Sequence, residues 1–359
     1  MRLVKTLGVA LVALLAIVMF ATPAAAKTVR WKMQSAWGSK LPLLGDSGVR
    51  FVENVDEMSG GELKLKFFEP GALIPPLECF DTVSKGSIES CWTTPGYHTG
   101  KYPAASFFTS VPFGPGFGEY MAWKLFGIKG HKSGQEIRNE LYGRHGMVAF
   151  DNLAIGPETS GWFRKPIENA AALRGMKMRF FGLGAKVMQK IGVSTQLLAG
   201  ADIYPALERG VIDATEFSMP VMDISYGFYQ IAKFNYFPGW HQQTSVSELL
   251  MNKEKWDALS KQHKKIIEIA LGESVMYVFA QSEAINFPAM QTMRDKHGVT
   301  VKRWADSDLA VFEKAWNEVM AEESKSDEEF GKVAESYLAF RKGYKIWKDA
   351  QSLKATYLD

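Results

Sequence analysis

Chemistry usually announces itself through residues of a few types at particular spacings, and here most of those spacings are missing. The six histidines, His98, His131, His145, His241, His263 and His297, never stand three or four residues apart. None sits beside Cys79 or Cys91, so no local zinc-type ligand set exists. There is no Gly-x-Ser-x-Gly elbow and no Gly-x-x-x-x-Gly-Lys-Ser/Thr phosphate loop. Phe181-Gly-Leu-Gly-Ala185 puts two glycines ahead of a helical stretch but lacks the third glycine of a dinucleotide fingerprint. What remains is a pair of charged residues at the ends of hydrophobic runs. Arg179 closes Met176-Lys-Met-Arg-Phe180, and Glu216 closes the run that begins at Val211. A guanidinium at a strand end can grip a carboxylate with two parallel hydrogen bonds, although an arginine so placed more often makes a surface or structural ion pair. A carboxylate there caps a helix, pairs with a base, or binds a ligand or cation.

The elements that must position these residues follow an alternating rhythm. Residues 28–34 and 62–68 alternate apolar and polar side chains as half-buried strands do, and 87–93 reads as a third strand. Between them Val49, Phe51, Val52, Val55 and Met58 form one apolar stripe of a helix that Ser59-Gly-Gly61 ends, and a short helix is expected over 77–83. Residues 96–118 form a loop rich in rings, among them Tyr97, Tyr102, Phe107, Phe108, Phe113 and Phe117. Those rings serve either as cover over a sheet or as a pocket wall. Helices over 120–126 and 134–142 precede a strand over 146–154. The pattern restarts with strands at 161–164, 176–180, 196–198 and 211–217, with helices at 185–191 and 201–209. An extended run over 244–252 carries the chain back to the first segment. The final third is mainly helical, and its last helix bears Tyr337, Phe340, Tyr344 and Trp347, which need an apolar partner within the domain or on a second chain.

Length and composition bound the class. The first 26 residues have Arg2 and Lys5, an apolar run over 7–20 and Ala24-Ala-Ala26, the pattern of a secretory signal peptide, which leaves a soluble mature chain starting at Lys27. The whole chain carries 42 basic and 39 acidic residues, and removing Arg2 and Lys5 brings the mature charge near +1. Nucleic acid is thereby disfavoured as a partner. At 47% hydrophobic and 23% charged the chain has ordinary globular composition, enough for two domains. One bond between Cys79 and Cys91 suits an oxidising compartment, and the sequence leaves it open.

Several blocks together resemble the extracytoplasmic solute receptors of TRAP transporters, the DctP-type family. They are Met58-Ser-Gly-Gly-Glu-Leu63, Lys177-Met-Arg179 with Gly182 and Gly184, and the long stretch from Ala199 to Glu216. Gly161-Trp-Phe-Arg164, Phe237-Pro-Gly-Trp-His241, Val111-Pro-Phe-Gly114 and Tyr337-Leu-Ala-Phe-Arg341 are most similar to the branch that binds 2-oxo acids and related carboxylates. The resemblance implies an α/β, two-lobed periplasmic binding protein fold with the ligand cleft between lobes and a helical C-terminal region. Lobe I is expected over 27–153 plus about 243–285, lobe II over 154–242 plus about 286–330, and a C-terminal helix, a candidate for dimerisation, over 331–359.

The same resemblance implies a non-enzymatic receptor in the periplasm. It captures an organic acid anion through Arg179, with Ca²⁺ or Na⁺ bridging protein and substrate, and hands it to membrane permease subunits. Receptors of that branch take metal ligands from a Gln before the Gly-Trp-Phe-Arg block, a Glu after the Pro-Gly-Trp-His block and a Glu-Trp pair. The present sequence has Glu158, Gln242 and Glu216-Phe217 at those positions, so one carboxylate has changed sides while the ligand charge is kept. Trp37, Tyr97, Phe217 and Trp240 are candidate walls, and Glu158 also counts as a substrate contact. Two rivals use the same residues differently: presentation of the ligand to a sensor kinase, and a lyase or hydrolase with Glu158 and Glu216 as an acid and base pair.

Overall fold

The computed structural model describes residues 28–351. The proposed signal peptide lies outside the described residues. No helix among the described residues is long and apolar enough to cross a membrane.

Two sheets organise the chain. The first contains β1 (Val29–Ser35), β2 (Leu63–Phe68), β3 (Ser90–Thr93), β4 (Met147–Ile155) and, later in sequence, β10 (Ser245–Asn252), in the order β2-β1-β3-β10-β4. β1, β2 and β3 run parallel, as strands joined by helical crossovers must. β10 enters antiparallel between β3 and β4, and all eight of its residues are buried. This is the returning run expected over 244–252. The second sheet holds β5 (Gly161–Phe163), β6 (Lys177–Arg179), β7 (Ser194–Gln196), β8 (Ala214–Thr215), β9 (Phe234–Phe237) and β11 (Thr300–Arg303), in the order β11-β9-β5-β8-β6-β7. The expected strand over 211–217 shrinks to the two residues of β8, while β9 and β11, which were not expected from local pattern, pair in parallel.

Helices cover both sheets. α1 (Asp46–Met58) packs its Phe51 and Val55 inward, and α2 (Cys79–Ser84) begins at the cysteine that is disulfide-bonded to Cys91 of β3. α3 (Phe117–Phe126) and α4 (Gly134–Gly143) follow, the latter opened by a capping box in which Ser133 and Glu136 bond each other's backbone amides. α5 (Gly182–Lys190), α6 (Gly200–Glu208) and α7 (Pro220–Ser225) belong to the second half. The short α8 (Lys253–Asp257) leads into α9 (Lys261–Asp295), 35 residues and so roughly 50 Å long at 1.5 Å per residue. α9 ties the two halves together. Glu273 forms a two-pronged ion pair with Arg50 of α1, and Asn286 accepts from the Val221 amide of α7 at 3.0 Å.

α10 (Asp306–Ser326) lies beside α5, and α11 (Glu328–Gln351) docks on the chain's own first half. Phe330, Val333, Ala334, Tyr337 and Phe340 are buried there. The rings of Phe330 and Tyr337 meet Phe107, and Ser336 accepts from Trp123 Nε1. Of the aromatic loop, Phe107 and Phe108 are thus cover and core, and only Tyr97 reaches the cavity described next.

Candidate functional site

The site grows from the C-terminal end of β6. Its parallel neighbour β8 ends one residue before Glu216, so the two strand ends deliver Arg179 and Glu216 side by side. Both are essentially inaccessible, with exposures of 1% and 0%. Arg179 Nη1 donates to the Glu216 backbone oxygen at 2.8 Å and to Oε1 at 2.7 Å, and Nε donates to the Leu198 carbonyl at 3.3 Å. Glu216 Oε1 also accepts from the Phe181 amide at 2.6 Å. Nη2 has no protein partner among these bonds, and the guanidinium carbon stands 5.4 Å from the centre of the Phe217 ring. An arginine at a strand end is here both things at once: a buried ion pair on one edge and an unspent donor on the other.

Glu158 and His241 arrive on two further segments held against each other. The Glu158 amide donates to the Gln242 carbonyl at 3.2 Å, and Gly239 makes this approach possible, because a Cβ there would sit 2.2 Å from the Glu158 carbonyl oxygen. Glu158 Oε1 accepts from Ser218 Oγ at 3.3 Å. Asp223 braces the neighbourhood, accepting from Trp162 Nε1 at 2.7 Å, Thr159 Oγ1 at 3.3 Å and the Ser218 amide at 3.2 Å. Gln242 Nε2 donates to Ser245 Oγ at 3.1 Å, which leaves its carbonyl oxygen, Oε1, buried and unpartnered.

Unpartnered atoms converge. Glu158 Oε2, Glu216 Oε2 and both nitrogens of His241 are buried without a hydrogen bond. His241 Nε2 lies 3.6 Å from Glu216 Oε2 and 3.9 Å from Glu158 Oε2, and one ligand atom from each of the three residues falls within 4.8 Å of the others. Burial of an unsatisfied polar atom is costly, of the order of 1–3 kcal/mol each, so such a convergence marks a place built for something else. A cation fits: the donors are oxygens and an imidazole nitrogen, and an acceptor set of that kind is what a metal ion satisfies.

The electrostatics agree. Burial first, then the neighbouring Glu216 and Asp223 carboxylates, push Glu158 well above the ordinary carboxylate range. Burial also disfavours ionised Glu216, but the Arg179 charge, His241 and the Phe181 amide outweigh it and hold this carboxyl below its usual value. One ionised and one reluctant carboxylate are thus adjacent, and a positive charge between them lets both ionise. Burial raises Asp223 to about 7 against its hydrogen bonds.

Arg179, Glu158, Ser218 and Gln242 line a cavity of about 30 Å³ between the two sheets, whereas Glu216 and His241 do not. That holds about two or three water-sized bodies, a water needing about 10–15 Å³ on this measure, so a larger solute requires the walls to part. Trp37, Tyr97, Phe181 and Phe217 line it beside Arg179 and Glu158, and Trp37 Nε1 donates to the Tyr97 hydroxyl at 3.2 Å. Trp240 does not line it. Its ring is sandwiched between Phe113 and Phe312, at 5.6 and 4.9 Å, and serves as core. Sequence reasoning missed His241, Ser218 and Phe181. The histidine escaped because its partners lie on distant segments, so only the strand-end placement of Glu216 hinted at where to look.

Comparison with known proteins places this geometry. Residues 33–327 match the model of the bacterial extracellular solute-binding proteins, family 7. The monocarboxylate 2-oxoacid-binding periplasmic protein of Nostoc sp. is 32% identical over 326 residues, 90% of this chain and 87% of that one. A TRAP transporter solute-binding protein from Bordetella bronchiseptica, a mixed-occupancy dimer with copurified calcium and picolinate in one site, superposes with a TM-score of 0.86 at 29% identity, covering 90% of this chain and 95% of its own. A TRAP periplasmic solute-binding protein from Pseudoalteromonas atlantica with bound sodium and pyruvate gives 0.85 at 28% identity, covering 90% and 97%. The fold, the buried strand-end charges and these likenesses converge on one conclusion: the chain belongs to the family 7 bacterial extracellular solute-binding proteins, the DctP family, whose members are receptors and not enzymes.

Proposed function

We propose that this receptor captures a 2-oxo acid or a related small carboxylate anion in the periplasm and delivers it to the membrane subunits of a TRAP transporter. The observation that carries the reading is the free edge of Arg179: Nη1 and Nε are spent on Glu216 and Leu198, while Nη2 has no protein partner beside the small cavity. A carboxylate placed there completes the arginine. It does so in a site where burial strengthens the pairing and where an uncharged analogue leaves a buried donor unmet.

Glu158, Glu216, the Gln242 side-chain oxygen and the backbone of Phe217 would hold the bridging Ca²⁺ or Na⁺ that solved relatives carry together with their carboxylates. When bound, the cation supplies positive charge that lets Glu158 ionise and draws the anion's second oxygen. Trp37, Tyr97 and Phe217 shape the apolar wall. Lobe I would span 27–153 plus about 243–285 and lobe II 154–242 plus about 286–330, with the 30 Å³ cavity as the closed form of the cleft between them. A homodimer through the C-terminal helix would have to use Leu338, Ile346 and Trp347, which are exposed, since Tyr337 and Phe340 are spent within the chain.

A thermal-shift series with pyruvate, longer 2-oxo acids, 2-hydroxy acids and aromatic acids, each with and without Ca²⁺, tests the reading. A melting point raised by a 2-oxo acid in the presence of Ca²⁺, and much less in its absence, is expected. If neutral or cationic solutes stabilise the protein and no carboxylate does, the reading fails.

A further inference from the structure

One aromatic wall of the small cavity is also the wall of a larger space. Resting on the reading above that the solute's carboxylate binds Arg179, we propose that Phe181 and Tyr97 form a gate between this cavity and an adjoining crevice. The gate restricts the receptor to compact monocarboxylates, which fit while the Phe181 ring stays seated on Gly96. Three observations carry this. First, the cavity of about 30 Å³ and a crevice of about 490 Å³ share Tyr97 as a lining residue. The crevice runs between α2 and the turn Pro95–His98 of the first half and α5 and β7 of the second, and its size falls in the range of about 300–1,000 Å³ usual for ligand pockets. Second, the rings of Tyr97 and Phe181 meet edge-on at 5.6 Å. Gly96 leaves room for the second ring, because a Cβ there would overlap its tip, with three ring carbons within 2.6 Å. Gly96 is not among the glycines at positive φ, so the contact and not the backbone requires a glycine. Third, both rings are anchored. The Phe181 amide donates to Glu216 Oε1 at 2.6 Å, and the Tyr97 hydroxyl accepts from Trp37 Nε1 at 3.2 Å. A solute that needs more room therefore has to turn the Phe181 ring off Gly96.

The chemistry of the crevice says what would lie beyond the gate. Its two lysines are engaged, Lys101 with Asp81 and Lys186 with Glu323 at 2.6 Å, and burial keeps His98 neutral by lowering it to about 3. A second carboxylate would find no unpaired cation among these lining residues and would face Glu78 and Asp81. An apolar chain would instead cover Leu77, Phe80 and Leu197.

Calorimetry with pyruvate, phenylpyruvate and 2-oxoglutarate, in the presence of Ca²⁺, tests the gate on wild type, Phe181→Ala, Gly96→Ala and the double variant. Wild type should prefer pyruvate to phenylpyruvate roughly tenfold or more. Phe181→Ala should shrink that preference roughly tenfold by gaining affinity for phenylpyruvate, with no matching gain for 2-oxoglutarate. Gly96→Ala should weaken pyruvate binding roughly tenfold, because its Cβ unseats the ring, and adding Phe181→Ala should restore it. This rescue separates a gate from general packing damage, and melting points without solute check that each variant folds. Equal affinity of wild type for pyruvate and phenylpyruvate, an unchanged preference in Phe181→Ala, an equal gain for 2-oxoglutarate, or a double variant no better than Gly96→Ala overturns the proposal.

The same titrations separate the two readings. Pyruvate binding with a size preference indifferent to Phe181 sinks only the gate. Wild type that binds none of the three acids sinks the proposed solute and the gate with it.

Discussion

Two clusters of buried charge, one beside each sheet, invite comparison. In the first half Lys124 and Arg138 face Asp151 and Glu248. Lys124 Nζ and Arg138 Nη1 both donate to Asp151 Oδ1, at 2.6 and 2.7 Å, and the backbone oxygens of Phe108 and Ala149 accept from Lys124 Nζ and Arg138 Nη2. Tyr142 donates to Glu248 at 3.1 Å, and Arg138 stands 3.8 Å from it. Two cations balance two carboxylates, and none of the four lines the cleft cavity. In the second half one cation, Arg179, faces two carboxylates, Glu158 and Glu216, whose Oε2 atoms are left over beside His241, and Arg179 and Glu158 line the cavity. The first cluster is balanced in charge, although Arg138 Nε and Glu248 Oε2 make no hydrogen bond, whereas the second is short of positive charge. Buried charge by itself is weak evidence for either stability or function, and the missing counter-charge distinguishes the two.

The comparison can be broken at both clusters. Arg179→Ala carries the largest effect. It should lower affinity for a carboxylate by roughly a hundredfold or more, about 3 kcal/mol, and also cost about 3–5 kcal/mol of stability, because Glu216 loses its counter-charge. Calorimetry and denaturant melts read the two losses, and wild-type affinity in this variant removes the assignment. Arg138→Met should cost a similar 3–5 kcal/mol in a denaturant melt while leaving solute affinity unchanged. A change in affinity there would mean that the charge-balanced cluster communicates with the site.

A pH series sharpens the contrast. Burial raises Glu248 to about 7 despite Arg138 and Lys124, whereas unfolded it titrates in the ordinary range near 4.3. The folded state therefore holds a proton that the unfolded chain has released. The associated stability is full below the unfolded value and is lost as pH rises through about 7, by up to about 3 kcal/mol. His98, held neutral by burial with its value lowered to about 3, works in the opposite sense: stability is lost as pH falls below the ordinary histidine value near 6.5. The difference between wild type and Glu248→Gln in melts from pH 4.5 to 8 isolates the first effect; a constant difference contradicts it. The smallest effect belongs to Glu158→Gln. Removing the reluctant carboxylate should stabilise the metal-free protein at neutral pH by about 1 kcal/mol while weakening cation binding, and a destabilised variant would show that Glu158 is already satisfied within the protein.

Much of this was legible in the chain, and the gaps have physical causes. Alternation over 28–34 and 62–68 and the stripe from Val49 to Met58 are local patterns, and β1, β2 and α1 formed where they predict. β9 and β11 were not legible, since Phe234–Phe237 and Thr300–Arg303 become strands only by pairing across a long sequence separation. Arg179 and Glu216 could be placed at strand ends, but that they share one ion pair depends on β6 and β8 lying side by side. His241 could not be found by ligand spacing, because its neighbours Glu158 and Glu216 come from other segments. Trp240 was expected as a wall, yet its ring packs between Phe113 and Phe312 and belongs to the core.

Charge left unmet beside a closing cleft is the central claim, and the structure of the complex with a 2-oxo acid tests it most directly. The account predicts the carboxylate within hydrogen-bond distance of Arg179 Nη2, with a cation touching Glu158 and Glu216. A solute bound elsewhere, with Nη2 still without a partner, would contradict it.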